Sequence, residues 1–276
     1  MRLVCAGRVL DLAHPVVMGV LNVTPDSFSD GGRFLTADEA VDRARQMAEE
    51  GAAIIDIGGE STRPGAKPVP SGEEISRVLP VVERLEGRVP ALISVDTSSP
   101  ELIRRAAAAG AHLINDVRAL QRDGAVEALA STGMGACLMH MRGEPTDMQV
   151  DPRYEDVVTD VQRFLAARVA VCEAAGIGRE RLCVDPGFCF GKLKEHNLSL
   201  LRGLTQFASL GLPLVVGLSR KSWVTILTGR PAPPAERLPG SLALAVIAVL
   251  NGAQIVRTHD VAATVDALRV ASIFKG

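Results

Sequence analysis

Short apolar runs recur along the chain, and each ends in a polar residue. Three of them begin with Gly-Ala after a helical pattern, where glycine can take the left-handed conformation that ends a helix. Eight such runs occupy residues 16–22, 51–56, 91–96, 110–115, 136–140, 181–185, 213–219 and 252–257. Runs that are apolar on both faces are typical of strands in a parallel sheet covered by helices.

Helical patterns separate these runs, and several have a recognisable start. A capping box pairs a Ser or Thr hydroxyl with a Glu three residues later, and each group bonds to a backbone amide of the other's residue. Three pairs fit this spacing: Thr36 with Glu39, Ser71 with Glu74, and Ser98 with Glu101. Pro100 suits a first helical turn. Strand and helix are therefore predicted to alternate.

The alternation predicts a single (β/α)8 TIM barrel that occupies residues 1–276. Eight strand–helix units fill about 260 residues, and no stretch rich in Pro, Gly or Ser divides them. A doubly wound sheet is the alternative, which periodicity alone leaves open. Residues Leu3 to Leu12 are expected to form a short hairpin that closes the bottom of the barrel.

Composition and charge narrow the class of partner. The chain is 47% hydrophobic with a formal net charge of −2 and no block of like charge, so we expect no nucleic acid and no membrane surface as partners. Residues 1–12 lack a signal-peptide core, and the longest apolar stretch, 242–250, is too short to span a bilayer. Five scattered cysteines suggest neither a disulfide framework nor a zinc site. We expect a cytoplasmic protein that binds small molecules.

Polar residues end the predicted strands. In a TIM barrel the carboxyl ends of all strands meet at one mouth, where such enzymes carry their chemistry. We therefore expect convergence of Asn22, Asp56, Asp96, Asn115, Asp185, Ser219 and Arg257. The acidic and amide members Asp96, Asn115 and Asp185 would suit a ligand rich in N–H groups, such as an aminopyrimidine ring. The alternative is that they cap the helices that follow.

Cationic residues follow the last two strands. Arg220 and Lys221 come after the seventh strand, Arg257 and His259 end the eighth, and Arg63 lies in an earlier loop. Loops after strands seven and eight commonly bind phosphate in barrels, because free N–H groups and a helix dipole favour anions there. We expect an anionic ligand group at this position, although each side chain taken singly fits a solvated surface charge.

Three of the nine aromatic residues lie in two loops, namely Phe28 in SFSDGG and Phe188 and Phe190 in DPGFCFGK. Loop aromatics can be lids over the core. They can equally stack on a flat aromatic substrate.

Eight long motifs occur in this order: GVLNVTPDSFSDGG, DIGGESTRPGA, SVDTSSPE, LINDVRAL, CLMHMRG, DPGFCFGK, GLSRKS and RTHDV. The series resembles the bacterial dihydropteroate synthases of folate biosynthesis over essentially the whole chain. That family has a TIM-barrel fold. The resemblance implies that 6-hydroxymethyl-7,8-dihydropterin pyrophosphate and p-aminobenzoate condense to 7,8-dihydropteroate and pyrophosphate, that Mg²⁺ assists, and that sulfonamides inhibit.

The resemblance also implies roles for individual residues. The pterin would be bound by Asp96, Asn115, Met139, Asp185, Lys221 and Arg257. The pyrophosphate would be held by Asn22, Arg63, Arg257 and His259, with Asn22 also a ligand of Mg²⁺. The p-aminobenzoate subsite would be formed by Phe28, Thr62, Pro64, Phe190 and Ser222. Catalysis would fall to Asp96, Lys221, Arg257 and His259.

Other interpretations stay open at this stage. Cys189 and Arg142 stand where the family often has glycine and glutamine, which affects loop geometry more than the proposed contacts. A methyltransferase acting on methyl-tetrahydrofolate would also use a pterin-binding barrel, although the basic cluster speaks against it. A pterin-binding subunit without activity is the third class.

The apolar helices near residues 241–250 and 265–274 are expected to bury a homodimer face.

Overall fold

The structure is a computed structural model that describes residues 1–24, 36–61, 65–66 and 69–274. Within these ranges the strands are β1 Arg2–Cys5, β2 Arg8–Asp11, β3 Val16–Asn22, β4 Ile54–Gly58, β5 Leu92–Asp96, β6 Leu113–Asp116, β7 Gly135–Met139, β8 Leu182–Asp185, β9 Val215–Gly217 and β10 Ile255–Thr258.

Helices follow the strands in regular alternation. In the described ranges they are α1 Ala37–Glu49, α2 Ser71–Leu85, α3 Pro100–Ala108, α4 Ala125–Ala130, α5 Val157–Ala174, α6 Lys194–Arg202, α7 Ser222–Thr228, α8 Leu238–Leu250 and α9 Val261–Phe274. Short 3-10 helices cover Arg179–Arg181, Leu204–Leu210 and Pro234–Arg237.

The strands β3 to β10 form an eight-stranded parallel barrel, as the sequence predicts. Their order around the sheet is β8-β7-β6-β5-β4-β3-β10-β9. The ends of this sheet meet at one isolated parallel bridge between Val184 and Leu214, next to a backbone bond from Val184 N to Pro213 O of 2.9 Å. We call this junction between β8 and β9 the seam.

A hairpin closes the bottom of the barrel, which confirms the expectation for residues 3–12. β1 and β2 pair antiparallel, with Leu3 opposite Leu10. Leu3, Cys5 and Leu12 are buried in one apolar cluster with the first inward residues of the barrel strands: Met18, Ile54, Leu92, Leu113, Cys137, Cys183, Val215 and Ile255. Because apolar burial drives association, this plug holds the hairpin under the barrel.

The helix starts confirm one capping box and correct two. Thr36 Oγ1 accepts the N–H of Glu39 at 3.2 Å, and Glu39 Oε2 accepts the N–H of Thr36 at 2.8 Å, as predicted. At α3 the cap is Ser99 rather than Ser98, since Ser98 Oγ donates to the buried Asp116 instead. Pro100 occupies the first turn as expected.

Ser71 is the first residue of α2 and not its cap. Pro70 holds the capping position, and Ser71 Oγ lies 3.0 Å from Ser99 Oγ. Glu74 is buried rather than turned back to the helix start. Tertiary contacts therefore displaced the local motif, which is the usual limit of capping patterns read from sequence.

Candidate active site

The barrel strands carry apolar side chains at the bottom, and two residues higher five of the eight strands carry polar ones. Residues two apart on a strand face the same side, so both sets point into the barrel. Above the apolar layer just described lie Val20, Asp56, Ser94, Asn115, Met139, Asp185, Gly217 and Arg257. The parallel register sets Asp56 beside Ser94, Asp96 beside Asn115, and Met139 beside Asp185. The predicted convergence at the mouth is therefore present for these residues.

Asp56 is the centre of this layer. Its side chain is fully buried and accepts hydrogen bonds from Ser94 Oγ at 2.6 Å and from Asn115 Nδ2 at 3.0 Å. Arg257 Nε donates at 2.7 Å to Asp56 Oδ2, the same oxygen that accepts from Asn115 Nδ2, while Ser94 uses Oδ1. Because the bond to Asp56 uses one of the two amide hydrogens of Asn115 and fixes the orientation of the amide, Asn115 can offer a ligand its amide oxygen and its second N–H.

Arg257 is shared between two carboxylates. Its Nη2 donates to Asp96 Oδ2 at 2.9 Å, while its Nε is held by Asp56. One guanidinium therefore faces two carboxylates. Burial raises the pKa of Asp96, Arg257 opposes that rise, and Asp56 reinforces it. Ion pairing to Asp56 and Asp96 raises the pKa of Arg257 against its own burial, so the guanidinium stays charged.

Asp185 forms the opposite wall with Met139. Both are buried, and Asp185 Oδ1 accepts the N–H of Gly187 at 2.7 Å. Burial raises the pKa of Asp185, while that N–H bond and the charges of Lys221 and Arg257 oppose the rise. A carboxylate that is costly to bury gains most from a ligand that supplies donors.

Lys221 lies across the seam from Asp185. Its ammonium donates to the carbonyl of Phe188 and stands 4.7 Å from the centroid of the Phe190 ring, a cation–π contact. Burial lowers the pKa of Lys221, and Cys189 and Asp185 oppose that shift. Phe190 is half-buried in the loop after β8, and its place beside a substrate stays a prediction.

Phe188 does not line the mouth, which corrects the suggestion that all three loop aromatics could stack on a substrate. It is fully buried and stacks on Trp223, with ring centroids 6.0 Å apart and planes at 17°. The alternation along the loop turns Phe188 into the core and leaves Phe190 at the surface of the pocket.

His259 is fixed by Ser219 at the ends of β9 and β10. The Ser219 hydroxyl accepts the backbone N–H of His259 at 3.2 Å and lies 3.0 Å from His259 Nδ1. The hydroxyl can then donate its own hydrogen to Nδ1, which makes Nε2 the N–H side of the neutral ring. A donor in that position suits an anionic group.

Arg220 does not add to the basic cluster in the way the sequence suggests. It forms a two-pronged ion pair with Asp260, at 3.0 Å from Nε and 2.5 Å from Nη2. This pair ties the loop after β9 to the start of α9. Arg220 therefore has a structural partner already, and the described groups that remain for the predicted anion site are the cations Lys221 and Arg257 and the ring N–H of His259.

Asn22 ends β3 and Asp96 ends β5. Gly58 of β4 lies between them and pairs with both. A Cβ at Gly58 would lie 3.6 Å from Asn22 Oδ1 and 3.5 Å from Asp96 Cβ. The Asn22 and Asp96 side chains therefore both border the space directly above Gly58. Among the described residues, no group of three or more His, Cys, Asp or Glu could hold a metal ion.

Some predicted site residues lie outside the described residues, namely Phe28, Thr62, Arg63 and Pro64. Ser222 is described and begins α7, directly after Lys221. The alternative that Asp96, Asn115 and Asp185 cap helices is not supported, because the described side-chain caps are Thr36, Ser99 and Asp156.

Sequence reasoning missed two features of the site. It placed Asp56 at the mouth without a role, although Asp56 holds both Asn115 and Arg257. It did not single out Lys192, whose ammonium is buried behind the loop after β8. The signal that could have found Lys192 is its place at the end of DPGFCFGK, the motif that begins with the strand-end Asp185.

Comparison with known proteins identifies the family. Residues 18–259 match the family described as pterin binding enzyme. The dihydropteroate synthase of Escherichia coli K12 is 55% identical over 270 residues, which cover 98% of this chain and 95% of that protein. The chain belongs to the dihydropteroate synthase family. This membership decides against the methyltransferase interpretation.

Solved structures of dihydropteroate synthases have the same fold. The Yersinia pestis enzyme, in a sulfonamide drug complex, has a TM-score of 0.95 and 52% identity, with 100% of this chain and 99% of that one covered. The Xanthomonas albilineans enzyme with 4-aminobenzoic acid has a TM-score of 0.92 and 51% identity, with 100% and 98% covered. Both support the barrel built here from strand order and register.

Proposed function

We propose that the barrel mouth condenses 6-hydroxymethyl-7,8-dihydropterin pyrophosphate with p-aminobenzoate, forming 7,8-dihydropteroate and releasing pyrophosphate. One observation carries this assignment to the site: acidic and amide groups of β4, β5, β6 and β8 face the cations of β10 and of the loop after β9 across one mouth. Such a mouth suits a ligand with an N–H-rich ring and an anionic tail.

The pterin ring would bind to the polar layer. Its ring and amino N–H groups are donors, which match the carboxylates of Asp96 and Asp185 and the amide oxygen of Asn115. Met139 would pack against the ring and Lys221 would donate to its acceptors. Because Arg257 Nη2 bonds Asp96 in the structure, the incoming ring would replace it there. Asp56 would keep hold of Nε, so Arg257 would stay at the ring face.

The pyrophosphate would lie towards Arg257 and the ring N–H of His259, with Arg63 as a second cation. At an effective dielectric constant of ~20, one cation ~4 Å from an anionic oxygen contributes about 4 kcal/mol before screening, against roughly 1.5–3 kcal/mol for a hydrogen bond to a charged group. Charge capture would therefore control the rate, while the carboxylates would control pterin recognition.

Magnesium fits the donor set that the described mouth provides. Mg²⁺ usually keeps several waters and is bound through one or two protein groups, most often carboxylates, together with the phosphates of the substrate, and Asn22 Oδ1 would be one such protein ligand. When bound, the ion would neutralise charge on the departing pyrophosphate. Asn22 would hold it close to Asp96, whose side chain borders the same space above Gly58.

The p-aminobenzoate ring would lie near Phe190 and Ser222, with Phe28, Thr62 and Pro64 as further walls. Its amine already has a lone pair, so no strong general base is required. The electron-rich dihydropterin can delocalise positive charge on its methylene as the C–O bond breaks. We therefore assign a dissociative substitution, in which the amine attacks late and loses its proton after the new C–N bond has formed.

We extend three further expectations to the intact protein. Sulfonamides would occupy the p-aminobenzoate subsite. A homodimer would bury the apolar surface of the last helices, where Ile247, Leu250, Val270 and Ile273 are exposed. The protein would act in the cytoplasm; among the described residues, no helix is long and apolar enough to cross a membrane.

Pyrophosphate release tests the assignment. The purified protein should release pyrophosphate only when both substrates are present, one for each dihydropteroate formed. A binding subunit without activity would release none. His259→Ala should lower kcat more than it weakens p-aminobenzoate binding, with the exposed His14→Ala as control. Normal turnover in His259→Ala would remove that residue from the leaving-group site.

A further inference from the structure

Lys192 is a buried cation that the reaction scheme above does not use. The residue is 3% exposed and lies near the end of the loop that joins β8 to α6. Burying an ammonium is costly unless each of its hydrogens finds an acceptor. The groups that accept these hydrogens therefore indicate which part of the structure the buried ammonium stabilises.

The ammonium joins two segments of the site. Nζ donates to Gly187 O at 2.9 Å and to Phe190 O at 3.0 Å, both in the loop after β8, and lies 2.8 Å from His140 Nδ1 at the end of β7. A longer fourth contact, of 3.4 Å, reaches His140 O, so each of the three ammonium hydrogens has an acceptor within reach. Burial and the nearby charge of Lys192 lower the pKa of His140 to about 2, so its ring is neutral and Nδ1 can accept.

Lys192 is held by hydrogen bonds to neutral groups and not by an ion pair. Among the described residues, its bonding partners are an imidazole and backbone carbonyls rather than a carboxylate. Burial lowers its pKa to about 7, with Asp185 opposing the shift and Lys221 adding to it. An apolar side chain would be cheaper to bury here, so the ammonium must serve the backbone that it binds.

That backbone lies directly on the segment after β7. Gly187 has φ +70°, and a Cβ there would come within 1.8 Å of His140 O. Gly191 has φ +63°, and a Cβ there would lie 2.2 Å from Arg142 O. The loop after β8 and the segment after β7 therefore touch at these two glycines. Lys192 adds hydrogen bonds that join the two segments there.

Phe190 is held from both ends by lysines. Lys192 binds its carbonyl, and Lys221 lies over its ring at 4.7 Å. Lys221 also donates to Phe188 O in the same loop. The position of the Phe190 ring therefore depends on a backbone that Lys192 fixes.

We propose that Lys192 is a positioning residue for the amine substrate: its buried ammonium fixes the loop of residues 186–191 on the end of β7 and thereby sets the Phe190 wall of the p-aminobenzoate subsite. This inference rests on the function proposed above. It adds a residue that contacts neither substrate and acts through Phe190.

Steady-state kinetics of Lys192→Met test the inference. The KM for p-aminobenzoate should rise by about tenfold or more, because a displacement of about 1 Å in a positioned wall can cost up to a hundredfold. The KM for the pterin pyrophosphate should rise much less. Lys194→Met is the matched control, since Lys194 is two residues on and exposed, and both of its KM values should stay as in the wild type.

A double-mutant cycle separates positioning from general damage. Phe190→Ala removes the wall, so adding Lys192→Met to it should raise the KM for p-aminobenzoate little further. Lys192→Gln keeps two N–H donors and should recover part of the loss if the protein folds, as checked by circular dichroism. Should Lys192→Met fold poorly, the Lys192→Gln series still gives the cycle with Phe190→Ala.

The outcomes are distinct. Equal rises in both KM values, or additive effects of Lys192→Met and Phe190→Ala, would make Lys192 merely structural and overturn the inference alone. An active Lys192→Met enzyme with unchanged KM values would do the same. Failure of the wild type to release pyrophosphate in the same assay would remove the proposed function and this inference with it.

Discussion

The two ends of the barrel use the same strands for opposite purposes. At the bottom, Ile54, Leu113 and Ile255 pack with the hairpin in one apolar cluster. Two residues further along the same strands, Asp56, Asn115 and Arg257 face the same interior as a hydrogen-bonded polar layer. A single step of the strand repeat separates a core that stabilises from a layer that is costly to bury.

The comparison teaches that the fold's stability is concentrated away from its chemistry. The bottom cluster gains free energy from apolar burial alone. The mouth holds carboxylates whose pKa values burial raises, which means that their charged forms are less favourable there than in water. Substitutions at the bottom should therefore change unfolding, and substitutions at the mouth should change binding and rate.

Arg257→Met should give the largest effect of the substitutions considered. It should also cross the division between the two ends, because it should lower both the rate and the stability. It removes a proposed contact of the pyrophosphate and leaves Asp56 buried without its cation. We expect kcat to fall on the order of 10² to 10³ and the free energy of unfolding to fall by about 3 kcal/mol. Adding Asp56→Asn should restore much of the stability in urea titrations and none of the rate. Recovery of both would contradict a role for Arg257 in the reaction.

Leu3→Ala should affect stability only. Leu3 is fully buried in the bottom cluster, so the cavity should cost about 3 kcal/mol in the free energy of unfolding. Both KM values and kcat should match the wild type at a temperature where the variant is folded. Val9→Ala is the control on the same hairpin, since Val9 is 58% exposed and its loss should be small. A changed KM in Leu3→Ala would show that the two ends are coupled.

Asp185→Asn should do the reverse. Loss of a charged hydrogen bond should weaken pterin binding by about 1.5–3 kcal/mol in calorimetry and leave pyrophosphate affinity nearly intact. Equal losses of both would refute the separate roles. The Asn side chain can still accept from Gly187 N–H, so the loop should keep its bond.

The same variant should be at least as stable as the wild type without ligand. The folded pKa of Asp185 is raised, so the wild type loses stability as pH rises from the ordinary carboxyl range through that raised value. The neutral amide does not titrate. Asp185→Asn should therefore gain on the wild type in thermal melts as pH rises above about 4, whereas the exposed Asp123→Asn should not.

Cys189→Gly should give the smallest effect. Cys189 has φ +67°, a left-handed conformation that costs a non-glycine residue about 1–2 kcal/mol, against about 0.5–1 kcal/mol of backbone entropy for glycine. A gain of about 0.5 kcal/mol in the free energy of unfolding should remain. Ala6→Gly tests the same strain at the bottom, where φ is +49°. Loss of stability in both variants would show that packing outweighs backbone strain.

Much of the fold follows from local sequence. Each barrel strand lies within or next to a predicted apolar run, because burial on both faces leaves a continuous apolar signal. The hairpin and the Thr36 cap also follow from neighbours in sequence. The Ser98 cap was wrong for a reason outside the helix, since Asp116 on the next strand takes the hydroxyl of Ser98.

The site was predictable as a set of residues but not as a set of pairs. The rule that strand ends meet at one mouth brought Asp96, Asn115 and Arg257 together correctly. The bond between Arg257 and Asp56 joins residues 201 positions apart, and periodicity carries no information on such pairs. For the same reason Arg220 was grouped with the anion site, although Asp260 binds it.

The seam would give a bound pterin a second role. Elsewhere, neighbouring barrel strands share three or more paired positions, but β8 and β9 meet at one bridge. A closed ring of strands opens first where its pairing is thinnest. Asp185 ends β8 on one side of the seam, and Lys221 follows β9 on the other. A pterin that binds both residues would therefore link the two strands across the seam. The ligand would then help to keep the barrel shut while the barrel holds the ligand.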